Sequence, residues 1–162
     1  MTMTEDKALA SLASLCSKGE HCTGELDDKM RRWGLDEEAR QRVLGYLVGH
    51  QFVDDARYCR AFINDKVKYN GWGSRKISQA LWAKHVAEEV YAPILDSVPD
   101  EDYLCVLRPL LRGKWPTIKG RSDYERSMKL IKFAMGRGFD LRLIRRCIDE
   151  MGEEAEAPDD DF

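Results

Sequence analysis

The sequence predicts an all-α chain built as three tandem three-helix repeats forming an elongated, curved array. Three observations lead to this fold. An apolar triplet at offsets 0, +4 and +9 recurs three times: Leu26, Met30, Leu35; Ile77, Leu81, Val86; Leu130, Ala134, Phe139. Apolar spacings of three and four dominate, so each segment turns one stripe toward a core. No alternating apolar–polar stretch bounded by hairpin turns appears, which argues against strands.

The repetition extends beyond the triplet. Ala39, Val90 and Leu143 follow its third member at +4, and the pairs Val43–Leu44, Ile94–Leu95 and Cys147–Ile148 follow at +8 and +9. The periods are 51 and 53 residues, the wider one matching an extra loop at 112–121. Self-similarity at such a period marks stacked supersecondary units. A unit of about 50 residues buries too little surface to stand alone and draws on its neighbours. The expected repeats are 5–52, 53–98 and 99–152, followed by an acidic, disordered tail at 153–162.

Helix starts have recognisable chemistry. Asp36, Asp54, Asp100 and Asp140 each precede a periodic segment, where a carboxylate accepts an orphan N–H bond. Ser122 and Glu125 have capping-box spacing. Thr23 is expected to cap the second helix, and Ser74 the helix after the Asn70-Gly71-Trp72-Gly73 break. Pro99 and Pro116 fall in expected linkers, and Pro93 in the first turn of a helix at 88–97.

Composition narrows the function. The 162-residue chain is 43% apolar, ordinary for a folded soluble protein. No apolar run approaches the roughly 18 residues of a membrane span, and Glu5 and Asp6 sit where a signal peptide would be basic. A cytoplasmic location is therefore expected. The five cysteines are scattered, without a CxxC, as for reduced thiols. Cys16, His21 and Cys22 have no second pair at zinc-site spacing, so no metal is expected.

No catalytic constellation emerges either. Asp54 and Asp55 read as a cap and a first-turn charge. His21, His50 and His85 lack a nucleophile or base partner in sequence. Gly71-Trp72-Gly73 lacks the rest of a nucleotide fingerprint. Neither a catalytic residue nor a cofactor is expected.

Charge is unevenly distributed. The net charge is −3, but residues 153–162 hold six acids and no base, leaving +3 on the rest. Residues 57–84 carry seven Lys/Arg against one acid, and 108–146 carry twelve against three. Between them, 85–107 is −6. Two basic blocks in an otherwise acidic chain point to an anionic partner or a charged docking surface.

The segment FVDDARYCRAFINDKVKYNGWGSRKISQALWAKHV, Phe52 to Val86, carries a specific pattern: Asp54-Asp55, Arg57-Tyr58, Phe62-Ile63, Lys66, a glycine-containing turn, Arg75-x-Ile77 and a final Val86. Glu20-His21, Glu25-Leu26 and Arg31-Arg32-Trp33-Gly34-Leu35 extend it into the first repeat. In these motifs the chain resembles the bacterial RecX family of RecA modulators, over about residues 5–152. It departs from the family where Cys22 replaces a serine cap, His85 a glycine before Val86, and Gly73-Ser74 a glycine-proline turn.

The resemblance implies three tandem three-helix repeats and a regulatory protein that binds RecA and its filament on single-stranded DNA. Such a protein inhibits RecA ATPase, filament extension and strand exchange, and so regulates DNA repair, recombination and the SOS response. A monomer with weak direct DNA contact is expected. The alternative is a stand-alone helical nucleic-acid-binding module, although a net of +3 is low for a dedicated binder.

Two contact surfaces follow. Arg57, Arg60, Lys66, Lys68, Trp72, Arg75, Lys76 and Lys84 form one; Arg126, Lys129, Lys132, Arg137, Arg142, Arg145 and Arg146 form the other. The acidic 85–107 segment is expected to separate them. Trp72 and Trp115, in presumed loops, are the aromatic contact candidates, while Trp82, beside Leu81, is assigned to the core.

Overall fold

The computed structural model describes residues 2–156. Among them are nine α-helices, one short 3-10 turn and no strand. The helices are α1 (Glu5–Lys18), α2 (Thr23–Arg32), α3 (Glu37–Gly49), α4 (Asp55–Lys68), α5 (Ser74–Ala83), α6 (Glu88–Asp96), α7 (Asp100–Lys114), α8 (Asp123–Gly136) and α9 (Leu141–Glu156). The 3-10 turn, Trp115–Thr117, holds Pro116, where an open linker is expected from sequence.

The recurring triplet has a local cause. All nine of its members are buried. The second member lies in the last turn of a helix, and the third is the first buried side chain beyond it. The N–H of Leu35 donates to the carbonyl of Met30 at 3.1 Å, Val86 to Leu81 at 3.2 Å, and Phe139 to Ala134 at 3.3 Å. This is the Schellman C-cap, in which an apolar residue just past the turn packs back on the last helical turn. It needs a left-handed residue in between: Gly34 at φ 84°, His85 at 61° and Gly138 at 91°. His85 occupies that position with a side chain that disfavours the conformation. Gln51 at φ 61° closes α3 in the same way, with Phe52 N–H donating to Leu47 at 2.9 Å.

The chain divides into two compact units, one holding the chain up to Ile63 and then Ser78–Asp96, the other holding Asn64–Ile77 and the chain from Ser97 onward. In the first unit α3 packs on α1 and α2. Its core is Ala8, Leu12, Leu26, Met30, Leu35, Val43, Leu47 and Val53. Thr4 and Asp36 cap α1 and α3 by accepting from Lys7 and Ala39 N–H at 3.2 and 2.9 Å. Asp54 caps α4 through Arg57 N–H at 3.1 Å.

The cap of α2 differs from expectation. Cys22, buried, stands at the N-cap, and the Glu25 carboxylate accepts from its N–H and its thiol, both at 3.4 Å. Thr23 is the first helical residue. Its N–H and hydroxyl donate to Asp55 at 2.7 Å each, tying the start of α2 to the start of α4. Pro93 is the sixth of the nine residues of α6, not in its first turn, so α6 forgoes one internal hydrogen bond there. Tyr91 and Leu95 still bury that helix.

In the second unit α7, α8 and α9 pack on one another. They bury Leu104, Leu107 and Leu111, Leu130 and Ala134, and Leu143, Ile144 and Cys147. Ser122 and Asp140 cap α8 and α9 as expected, accepting from Glu125 and Arg142 N–H at 3.1 and 2.9 Å. Asp100 does not cap α7: Pro99 holds that position, and the Asp100 carboxylate is bound by Arg142. Ser74 is the first residue of α5 rather than the residue before it; Gly73 takes that place, its carbonyl accepting from Ile77 N–H at 3.2 Å. α9 continues into the expected tail as far as Glu156, and 157–162 lie outside the described residues.

Candidate interaction surface

Ionic partners sort the expected contact residues into two groups. In the first, the charge is spent within the protein. Arg57 Nε donates to both oxygens of Glu20 at 2.8 and 2.9 Å, and its guanidinium reaches the Gln51 and Phe52 carbonyls at 3.3 and 3.4 Å, which holds the end of α3. Lys84 lies 3.8 Å from Glu25. Arg126 donates to the Ile118 and Trp115 carbonyls at 3.0 Å each and stacks its guanidinium 3.9 Å from the Trp115 ring centroid. Lys129 donates to the Lys119 carbonyl and lies 3.7 Å from Glu125.

Arg142 grips Asp100 with two bonds of 2.9 and 3.1 Å, and Arg146 lies 3.4 Å from Glu150. Beside them Arg108 donates to Glu101 at 2.7 Å and Glu150 at 3.0 Å, locking α7 to α9. The Arg142 bond holds the Asp100 carboxyl below its ordinary range, and the Arg108 bond does the same for Glu101 and Glu150.

The second group has no carboxylate partner among the described residues: Arg60, Lys68, Arg75, Lys76, Lys132, Arg137 and Arg145. Two of these, Lys76 and Arg137, join other cations around two rings of the second unit. Trp72 has the Lys66 and Lys76 ammonium groups 4.7 and 4.5 Å from its ring centroid. Phe133 has Lys114 and Arg137 at 4.8 and 4.9 Å.

Backbone contacts join the two. Gly73 N–H donates to the Arg137 carbonyl at 2.8 Å, and Arg75 N–H to the Gly138 carbonyl at 3.0 Å. The approach is close enough that a Cβ on Gly73 would lie 2.3 Å from the Gly138 carbonyl carbon, and one on Gly138 would lie 2.4 Å from the Lys76 nitrogen. Trp72 and Lys76, from the first expected surface, thus share one unit with Arg137, from the second. The acidic 85–107 segment does not separate them.

The rings hold these cations in fixed places at about 0.5–1 kcal/mol per contact, which offsets part of the rotamer entropy of a long side chain. Lys66 and Lys76 lie no more than about 9 Å apart, because each sits within 5 Å of the same ring. At that distance their mutual repulsion in water is about 0.5 kcal/mol. Lys76 and Arg137, which have no carboxylate partner among the described residues, attract a polyanion more strongly than the paired cations do.

Sequence reasoning missed Lys114 and Phe133. The four-residue step from Phe133 to Arg137 was the available signal; Lys114, nineteen positions before Phe133, gave none. Trp82 does not belong to the core: Leu81 is fully buried, but Trp82 is 72% exposed. One residue is a 100° turn on a helix, enough to leave the core. Trp72 and Trp115 are both half-buried against cations.

Fold and surface together define an all-α helical-repeat chain that presents a cluster of ring-held cations; no described helix is long and apolar enough to cross a membrane. The model of the RecX second three-helix domain matches residues 54–92, and that of the RecX third three-helix domain matches 100–148. A regulatory protein RecX from Chlorobium limicola is 32% identical over 148 residues, covering 91% of this chain and 91% of its own. One from Vibrio campbellii is 29% identical over 140 residues, covering 86% and 88%. A crystal structure of RecX from Lactobacillus salivarius shares the fold with a TM-score of 0.84 at 16% identity, over 91% of this chain and 96% of that one. The chain belongs to the RecX family of regulatory proteins.

Proposed function

We propose that this protein regulates a RecA recombinase by binding RecA and its filament on single-stranded DNA, and that it limits ATP hydrolysis, filament extension and strand exchange. It acts by binding rather than by catalysis, in the cytoplasm where RecA works, and so regulates recombination, DNA repair and the SOS response. Family membership supports the regulatory role. The observation that carries the partner reading is the cation cluster around Trp72 and Phe133, which suits an acidic or phosphate-lined surface. Arg75, Arg60, Lys68, Lys132 and Arg145 extend the set of exposed cations available to such a partner.

The test is RecA's single-strand-dependent ATPase, titrated with this protein beside a DNA-only binding control. Inhibition at or below equimolar ratio with weak binding to bare DNA is expected. Tight, salt-sensitive binding to DNA alone without inhibition would favour the stand-alone nucleic-acid module.

A further inference from the structure

Only one face of α8 is spent on its unit's core. Leu130 and Ala134 are fully buried, whereas Tyr124, Met128 and Met135 are 76, 43 and 37% exposed and Ile131 is half-buried. At 100° per residue these four side chains fall within about 60° of one another. Their steps of 4, 3 and 4 form a heptad seam, with Tyr124 and Ile131 at d and Met128 and Met135 at a. The spacing reads the same in both directions. Two copies of α8 laid antiparallel about a two-fold axis therefore set Tyr124 against Met135 of the second copy, and Met128 against its Ile131.

The rim fits the same arrangement. The e positions are Glu125 and Lys132; of the g positions, Ser127 is small and half-buried, and Ala134 is already packed in its own unit's core, so the e side carries the rim. In an antiparallel pair e faces e, so Glu125 of each copy meets Lys132 of the other, twice by symmetry. Lys132 is exposed and has no carboxylate partner among the described residues. The Glu125 side chain is 44% exposed; besides its contact with Lys129 it accepts from Arg121 N–H at 3.1 Å, and its carboxylate has capacity for another donor.

We propose that the exposed α8 face binds a second copy of this chain through an antiparallel α8–α8 pair. A contact of about three turns is smaller than a standard specific interface, so the association is weak and concentration-dependent. Molecules held side by side on a polymer gain effective concentration, and there the pair would link neighbours. The pairing in solution does not depend on the RecA reading.

Sedimentation velocity of the full chain, from low micromolar to several hundred micromolar, tests it. The wild type is expected to move from the mass of one chain toward that of two. Lys132→Glu and Glu125→Lys each place like charges at both rim contacts, and each alone is expected to stay monomeric. Mixed in equal amounts they regain opposite charges at both contacts and are expected to form a heterodimer at concentrations where neither self-associates. A wild type that keeps the mass of one chain throughout would overturn the proposal, as would single variants that dimerise like the wild type or a mixture that does not associate.

Discussion

Replacing Gly138 with alanine strikes the point where the two halves of the cation cluster meet. Gly138 has φ 91°, and an alanine in left-handed backbone costs about 1–2 kcal/mol. Its Cβ would also lie 2.4 Å from the Lys76 nitrogen and 2.5 Å from the Lys76 Cβ, neither of which is the far end of a flexible side chain. The start of α5 must retreat, and overpacking of this kind costs about 1–3 kcal/mol. The expected loss is therefore about 2–5 kcal/mol. The upper half applies if the retreat breaks the Gly73–Arg137 and Arg75–Gly138 bonds, at about 1 kcal/mol each.

Urea unfolding followed by far-UV circular dichroism measures this loss. Gly136→Ala is the control: it lies two residues away in α8, in ordinary helical backbone, and an alanine methyl there would meet nothing within 4 Å. It is expected to be neutral or to stabilise by up to about 1 kcal/mol. A Gly138→Ala loss below about 1 kcal/mol, smaller than the left-handed cost alone, would refute the reasoning.

His85→Gly is expected to raise the unfolding midpoint, by up to about 1 kcal/mol, because a side chain at φ 61° is strained and its ionic neighbour Asp28, at 3.9 Å, gives little in return; an unchanged or lower midpoint would contradict the Schellman reading. Arg108→Met removes the clamp on Glu101 and Glu150. Both carboxyls are held below their ordinary 4.5, so their contribution is present above that pH and is lost as pH falls through the depressed values. The variant should melt earlier near neutral pH and lose less stability on acidification below about 4.5 than the wild type, in parallel thermal melts. Thiol labelling of the native protein should modify exposed Cys105 first. Burial pushes the Cys22 thiol up to about 12 and Cys59 to about 11, so both should react only on unfolding.

What the sequence revealed about the fold was mostly local. Helix periodicity, the caps at Asp36, Asp54, Ser122 and Asp140, and the triplet all depend on residues within ten positions of one another. The triplet was legible because a Schellman turn fixes the five-residue step from helix end to the following apolar residue. The site was less legible because its geometry is long-range. Arg57 finds Glu20 across 37 positions, and Arg108 and Arg142 find Glu150 and Asp100 across 42. No local pattern distinguishes such spent charges from open ones. The joining of Trp72 to Arg137 rests on a backbone bond from Gly73, again invisible to periodicity. Cys22 was passed over as a cap because a thiol is a weak hydrogen-bonding group and Thr23 beside it a strong one; the Glu25 carboxylate and the demands of Asp55 on Thr23 decided the register.

The most direct test of the central claim compares the wild type with a Lys76→Glu, Arg137→Glu double variant in RecA's single-strand-dependent ATPase, alongside their thermal melts. Neither residue has a carboxylate partner among the described residues, so the variant loses only its two ring contacts, about 1–2 kcal/mol in all, and should melt a few degrees earlier while staying folded at the assay temperature. The account predicts that the variant needs at least about tenfold more protein for the same inhibition, the equivalent of about 1.4 kcal/mol. Equal inhibition by the two proteins would show that the cluster around Trp72 and Phe133 is not the contact surface.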